Sequence, residues 1–235
     1  MIYISLGFNC NIGLALRKCK LNKETNIIDW AVSHPKDILY ILENNITELF
    51  NDDPIFLTFC KKPHKYSISN EKTKIIYDKN TNLIFPHDYD KSNNSFVLAK
   101  QKYNRRLIRL NNILNDNNNK ILFIFAGKCN KEHYINNSHS ILFNEKTQSK
   151  EYYIYLKKLK NFIKNKYPNL NFHILAFNLF NQYTDFEEDL FSHKYLGECE
   201  KVSIMENKTA SFLNDIKNNN IENTFNNLKK FICIN

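Results

Sequence analysis

An α/β fold with a mostly parallel or mixed central sheet flanked by helices is what this sequence predicts, and three observations carry the prediction. Two short apolar runs, residues 121–126 and 172–177, have the length and composition of strands buried on both faces. Stretches of helical period, residues 96–115 and 149–166, precede each of them, and such alternation is the mark of βαβ units in a parallel sheet. Gly and Pro are scarce, at 4 and 5, which argues against a turn-rich all-β sandwich.

Taken in order, residues 2–6 read as a strand apolar enough to be central. Gly7 lets the backbone turn, residues 11–20 read as a short helix, and Asn9 or Asn11 can cap that helix. Residues 26–30 form a compact apolar segment holding one acid, Asp29, next to Trp30. Ser33 to Asp37 is a helix start, with a capping hydroxyl, Pro35 in the first turn and Asp37 near the positive end. Periodic Ile38, Leu39, Ile41, Leu42, Ile46 and Leu49 carry that helix to about residue 50. Short strands and turns occupy the chain to residue 85, with a hairpin predicted around the turn-prone residues 78–82. The helix over 96–115 presents Val97, Leu98, Tyr103, Leu107, Leu110 and Leu114 on one side. A short strand at 202–205 and helices at 208–217 and 221–232 close the chain. No repeat and no linker divides it, so residues 1–235 are expected to form a single α/β domain, with 51–90 a strand- and turn-rich insertion or rim.

Composition narrows the function classes. Hydrophobic residues make up 43% and aromatics 14%, enough for a real core. About one residue in six is Asn, and Lys, Ile, Phe and Tyr are also heavily used. That is the codon bias of an A/T-rich genome, of a virus, protist or bacterium, rather than a functional signal. The net charge is +9, but the Lys residues are dispersed, so nucleic acid is not the expected partner. The six Cys, at 10, 19, 60, 129, 199 and 233, form no C-x-x-C pair and no Cys/His zinc spacing. No metal or other cofactor is therefore expected. Neither a leader pattern nor an apolar run of 18 residues is present, so a soluble cytoplasmic setting without a membrane span is expected.

The residues with the most chemical promise begin at Cys10. A thiol between a strand end and a helix N-terminus has its thiolate favoured by the helix dipole, and the thiolate is the nucleophile. Of the seven His, His34 lies at a helix N-terminus, where an imidazolium is disfavoured. His173 alternates within a strand, and His64, His133, His139 and His193 sit in polar loops. His87 comes just after a strand end, between Pro86 and Asp88, which suits a base that activates a thiol. Asp29 is the second unusual acid. A carboxylate in an apolar segment needs a partner, and Arg17 can pair with it bidentately. Arg105, Arg106 and Arg109 on one helix stand out because this chain otherwise prefers Lys, and they suggest a planar contact, structural or to an anionic ligand.

Together these segments resemble the family described as putative papain-like cysteine peptidases (DUF1796), known from bacteria, often beside polysaccharide genes, and from large DNA viruses. The resemblance rests on S-L-G-F-N-C at 5–10, L-R at 16–17, I-D-W at 28–30, F-P-H-D at 85–88, Y-N-R-R at 103–106 and the strand near 121. Family members usually show Pro-Phe-Asp-Trp where this chain has Ile27-Ile28-Asp29-Trp30. The resemblance implies a thiol hydrolase with Cys10 as nucleophile and His87 as base. Asp88 or Asp29 would orient the His, and Asn9 or main-chain N–H groups near Cys10, in the Gly7 turn, would bind the oxyanion. Papain-like folds centre on an antiparallel sheet after the cysteine helix, whereas this chain reads as strand–Cys–helix with later βαβ units.

Two functions are thus expected. The first is a cysteine-dependent hydrolase, a peptidase, amidase or acyl transferase, acting on a protein, peptide or glycan-linked substrate through Cys10 and His87. The second is a non-catalytic glycan- or anion-related ligand-binding α/β domain in which Cys10, Asp29 and Arg17 are structural and the Arg105–Arg109 helix contacts an anionic ligand. The sequence leaves the oligomeric state open.

Overall fold

The computed structural model describes residues 1–7, 11–22, 24–51, 55–59, 73–85, 95–126, 148–177, 186–187 and 190–193. Its main sheet has five strands: β1 (Ile2–Ser5), β5 (Lys120–Ala126), β6 (Asn171–Phe177), β8 (Leu190–His193) and β7 (Phe186–Glu187), in that spatial order. The pairs β1–β5, β5–β6 and β6–β8 are parallel, and only the short β7 runs antiparallel to its neighbour β8. The predicted mostly parallel α/β architecture is therefore observed. β5 and β6 are central, and Ile121–Phe125 and Ile174–Ala176 are buried, as continuous apolar runs require. β1 ends the order of described strands rather than lying within it, contrary to its apolar look. Its burial comes from the segments laid over it.

Five helical and strand elements separate β1 from α3. Helix α1 spans Asn11–Lys18 and α2 spans Pro35–Glu43. A second, antiparallel sheet comes next, with β2 (Ile55–Phe59), β3 (Thr73–Asp78) and β4 (Leu83–Phe85) in that order. The predicted hairpin is its β3–β4 turn, where Asn82 takes a φ of 59°. Helix α3 covers Ser95–Asn115 and α4 covers Gln148–Lys166, packed against α2. One core joins the two sheets. Phe85 of β4 lies 4.0 Å, centroid to centroid, from Tyr103 of α3, and both belong to the cluster that contains Ile4, Phe123 and Ile174.

Three expectations are corrected here. Helix α2 stops at Glu43, because Asn44 caps it by donating to Tyr40 O and Asn45 turns to a φ of 48°. Ile46 and Leu49 thus pack from the loop beyond. On α3 the buried stripe is Ala99, Tyr103, Leu107, Leu110 and Leu114. Val97 and Leu98 lie out of phase with it and are 51% and 61% exposed. His193 closes strand β8 instead of sitting in a polar loop. The predicted elements at 202–205, 208–217 and 221–232 lie outside the described residues.

Candidate functional site

At the exit of β1 the backbone is held on two sides. The Leu6 N–H donates to Ile124 O at 2.8 Å, keeping the chain in register with β5 one residue past the strand. Gly7 then turns with a φ of 84°, and its N–H donates to the buried Ser5 Oγ at 3.2 Å. A Cβ at Gly7 would stand 1.8 Å from Ser33 Oγ and 2.8 Å from Ile28 Cγ2. Only glycine permits both the turn and that approach. Ser33 Oγ in turn donates to Leu6 O at 3.2 Å. The Gly7 amide is therefore engaged by Ser5, and the glycine sets the path of the chain.

The segment that presses on Gly7 is the apolar stretch around Asp29. It is anchored to β1 by Asn26 Nδ2, which donates to Tyr3 O at 3.3 Å. It is seated on α1 by Gly13, whose missing Cβ would meet Asp29 O at 2.6 Å and Asp29 Cβ at 2.8 Å. Gly13 lies in the first turn of the helix that begins one residue after Cys10. The same segment pairs with β4. The Val32 N–H donates to Ile84 O (2.8 Å), and the Ile84 N–H donates back to Val32 O (3.1 Å). The bridge is antiparallel, so β4 runs towards Phe85 alongside Val32 running back towards Trp30.

Asp29 is 3% exposed. Its Oδ2 accepts from the Asn26 N–H at 2.8 Å and from Asn22 Nδ2 at 3.4 Å, while Oδ1 is buried and accepts nothing from the described residues. Burial pushes this carboxyl up to about 6. The Asn26 N–H, the Arg106 charge, the Asn22 side chain and the Arg17 charge, in falling order, pull the other way. Arg17 does not form the expected ion pair. Its guanidinium carbon lies over the Trp30 ring, 4.9 Å from the centroid, and the residue is exposed.

The α3 arginines divide. Arg109 Nε pairs with Glu24 Oε2 at 2.7 Å, and its Nη1 donates to Thr25 O at 2.9 Å, tying the start of the Asp29 segment to α3. Arg106 lies over Tyr103, 5.0 Å from the ring centroid, with Nη1 buried and without an acceptor among the described residues. Arg105 is exposed.

His34, not Ser33, caps α2. Its Nδ1 accepts from the Lys36 N–H at 3.0 Å, and Asp37 Oδ2 accepts from the His34 N–H at 2.8 Å, a capping box. Burial, then the Lys36 charge, lowers the His34 imidazole to about 3, so it stays neutral as a cap. His173 lies half-buried in β6. Cys10, Asn9, His87 and Asp88 lie outside the described residues, as do His64, His133 and His139. Among the described residues no group of His, Cys, Asp and Glu has the arrangement of a metal site, and no helix is long and apolar enough to cross a membrane.

Ser5, Gly13, Asn26 and Ser33 shape this region; from sequence Ser33 stands out only as a helix cap and Ser5 only as part of S-L-G-F-N-C, and Gly13 and Asn26 have no assigned role. Gly13 carried the one usable signal, as a glycine inside a helical pattern in a chain with only 4.

With a strand end, a capped turn and a buried acid gathered at the start of α1, the comparison with known families becomes specific. Residues 1–181 match the family described as putative papain-like cysteine peptidase (DUF1796). The chain belongs to this family. In this DUF1796 member the matched span contains β1 to β6 and everything that builds the Asp29 region, while β7 and β8 lie beyond it. No curated protein and no solved structure matches the chain. Membership supports a cysteine hydrolase at the level of the family. Of the two sheets described here, the larger is mostly parallel and the smaller is antiparallel.

Proposed function

We propose that this protein is a thiol-dependent hydrolase or acyl transferase of amides or esters, with Cys10 as nucleophile, His87 as base and Asp29 as the group that orients the imidazole. One observation carries the reading. The segment 26–33 contacts the described residues on both sides of Cys10, Gly7 and Gly13, and pairs with Ile84 just before His87 in sequence. Within that segment Asp29 Oδ1 is a buried acceptor that no described residue uses. A carboxylate oxygen of that kind suits an imidazole N–H, which would hold the ring's other nitrogen towards the thiol.

Each role has its chemical step. His87 takes the thiol proton, the Cys10 sulfur bonds to the substrate carbonyl carbon, and His87 returns the proton to the leaving amine or alcohol as the C–N or C–O bond breaks. Water or another acceptor then releases the acyl group. With the Gly7 amide engaged by Ser5, oxyanion stabilisation falls to Asn9 or to the amides at the start of α1. Asp29 takes this part because its Oδ1 is buried and unfilled among the described residues. The chain acts in this scheme as one α/β domain, with residues 51–90 as a rim beside the site.

The test is the pH dependence of Cys10 alkylation by iodoacetamide, followed by mass spectrometry against the other five Cys. The expected result is rapid labelling well below the ordinary thiol value of about 8.5, lost in His87→Ala and reduced in Asp29→Asn. Labelling that titrates like an ordinary thiol in all three proteins overturns the reading and leaves a ligand-binding domain as the better account.

A further inference from the structure

We propose that Asn26 is a positioning residue for the thiol reaction, and that it acts by fixing the Asp29 carboxylate to strand β1. This inference rests on the cysteine-hydrolase reading above, in which Asp29 orients the imidazole. Asn26 is 4% exposed, and its main chain meets Asp29 twice. Its N–H donates to Asp29 Oδ2 at 2.8 Å, and its carbonyl oxygen accepts from the Asp29 N–H at 3.4 Å. One residue thus closes the turn and grips the carboxylate at the end of it. The side chain of Asn26 has a different partner. Its Nδ2 donates to Tyr3 O at 3.3 Å, in the strand whose exit turns at Gly7.

The turn is held from three directions. Just before it, Arg109 of α3 pairs with Glu24 and donates to Thr25 O. Gly13 of α1 admits Asp29 at close range. The Asn26 side-chain amide adds the tie to the main sheet. Asparagine suits this place, because its NH2 can donate to a carbonyl. An aspartate would offer no donor and would set a second carboxylate beside Asp29. Asn22 provides a contrast, since its Nδ2 donates to the same Asp29 Oδ2, at 3.4 Å. Truncating Asn22 takes a hydrogen bond from the carboxylate. Truncating Asn26 keeps the main-chain bond to the carboxylate and takes away the link to β1. Burial is the largest influence on Asp29, so a turn that lifts from β1 returns the carboxyl towards water.

The experiment reads Asp29 and Cys10 separately. The Asp29 carboxyl carbon is followed by NMR against pH and assigned by its loss in Asp29→Asn. Cys10 alkylation by iodoacetamide is followed at pH 7.5, above that carboxyl's titration, so the rate reports where the carboxylate stands and not its protonation. In Asn26→Ala the carboxyl midpoint should fall from about 6 towards the ordinary range near 4. Alkylation should slow about fivefold, the scale of one hydrogen bond. In Asn22→Ala the midpoint should rise instead, because a bond to the charged form is lost while burial stays. A merely structural tie would lower the melting temperature of Asn26→Ala and leave midpoint and rate unchanged in the folded protein. That result, or an equal fall of the midpoint in Asn22→Ala, overturns the assignment and leaves the thiol reading standing. Should Asn26→Ala not fold, the native protein supplies the test. The main-chain and side-chain amide protons of Asn26 should both shift with pH at the Asp29 midpoint, and a side-chain amide that stays still overturns the link. A Cys10 that titrates like an ordinary thiol in the native protein overturns both the assignment and the thiol reading.

Discussion

Asp78 and Asp29 are both buried carboxylates in turns, 4% and 3% exposed, and the structure serves them differently. Asp78 Oδ1 accepts from the Phe50 N–H at 3.0 Å, and its Oδ2 accepts from the Thr81 N–H at 3.1 Å and from Thr81 Oγ1. Both oxygens are occupied, and the donors come from its own turn and from a loop distant in sequence. Asp29 places every bond to the described residues on one oxygen and leaves the other buried and unfilled. Asp78 closes a hairpin and anchors Phe50, so its carboxylate is structural. Asp29 has the same burial with half the satisfaction, the condition in which an acid keeps capacity for a group outside its own turn. The difference teaches that burial alone does not separate a structural acid from a candidate catalytic one, whereas the use of its second oxygen does.

The largest effect that can break this comparison is expected at Asp78. Asp78→Ala leaves the Phe50 N–H, the Thr81 N–H and the Thr81 hydroxyl without acceptors in the core, which should lower stability by about 3–5 kcal/mol. Urea denaturation measures it. A loss under about 1 kcal/mol would mean that the three bonds are replaced by water and that Asp78 is no better served than Asp29.

Asp29→Asn comes next and should go the other way. Because burial raises this carboxyl to about 6, its folded form holds its proton more tightly than the unfolded chain does. The associated stability is fully present below the ordinary carboxylate range near 4 and is lost as pH rises through about 6. The amide removes the buried charge while keeping an oxygen for the Asn26 N–H. At pH 7.5 the variant should therefore match or exceed the native protein, by up to about 2 kcal/mol. The gain should vanish towards pH 4. Asp37, also raised to about 6 by burial, and His34, lowered to about 3, titrate in both proteins and cancel in the difference. Cys10 alkylation in the same variant should slow at least tenfold, since an amide nitrogen in place of Oδ1 cannot accept from an imidazole. A fall in stability at pH 7.5 would make Asp29 a second Asp78.

How far the sequence could reveal this difference depends on the reach of each interaction. Strands β5 and β6 were legible because both faces are buried and the apolar run is unbroken. The end of α2 was not, because Ile46 and Leu49 keep the helical spacing while Asn44 and Asn45 break the backbone. β7 and β8 are too short to show a period. Asp29 was visible as an acid among apolar residues, and its burial agrees with that pattern. Its surroundings were not visible, since Arg106 arrives from α3 and the seat on Gly13 depends on a missing side chain. The capping of α2 by His34 was hidden because Ser33, the better capping residue, is turned away to bond Leu6 O.

The smallest expected effect is the most pointed test of that lesson. Arg17 looked from the sequence like the ion-pair partner of Asp29. A buried carboxylate robbed of such a partner typically costs about 3–5 kcal/mol, close to what Asp78→Ala should cost. In the structure Arg17 is exposed, lies over Trp30 and is the weakest influence on Asp29. Arg17→Gln removes a surface cation–π contact and little else, so its expected cost is about 0.5–1 kcal/mol. The pH at which the Asp29→Asn gain appears should stay near 6 in the Arg17→Gln background, because burial, Asn26 and Arg106 are unchanged. The check is a double-mutant cycle of thermal melts at pH 7.5 and pH 4. Near-additivity keeps Asp29 as an acid held by its own turn with one oxygen to spare. A coupling of several kcal/mol, present at pH 7.5 and absent at pH 4, would restore the buried pair and remove the reason to assign that oxygen to His87.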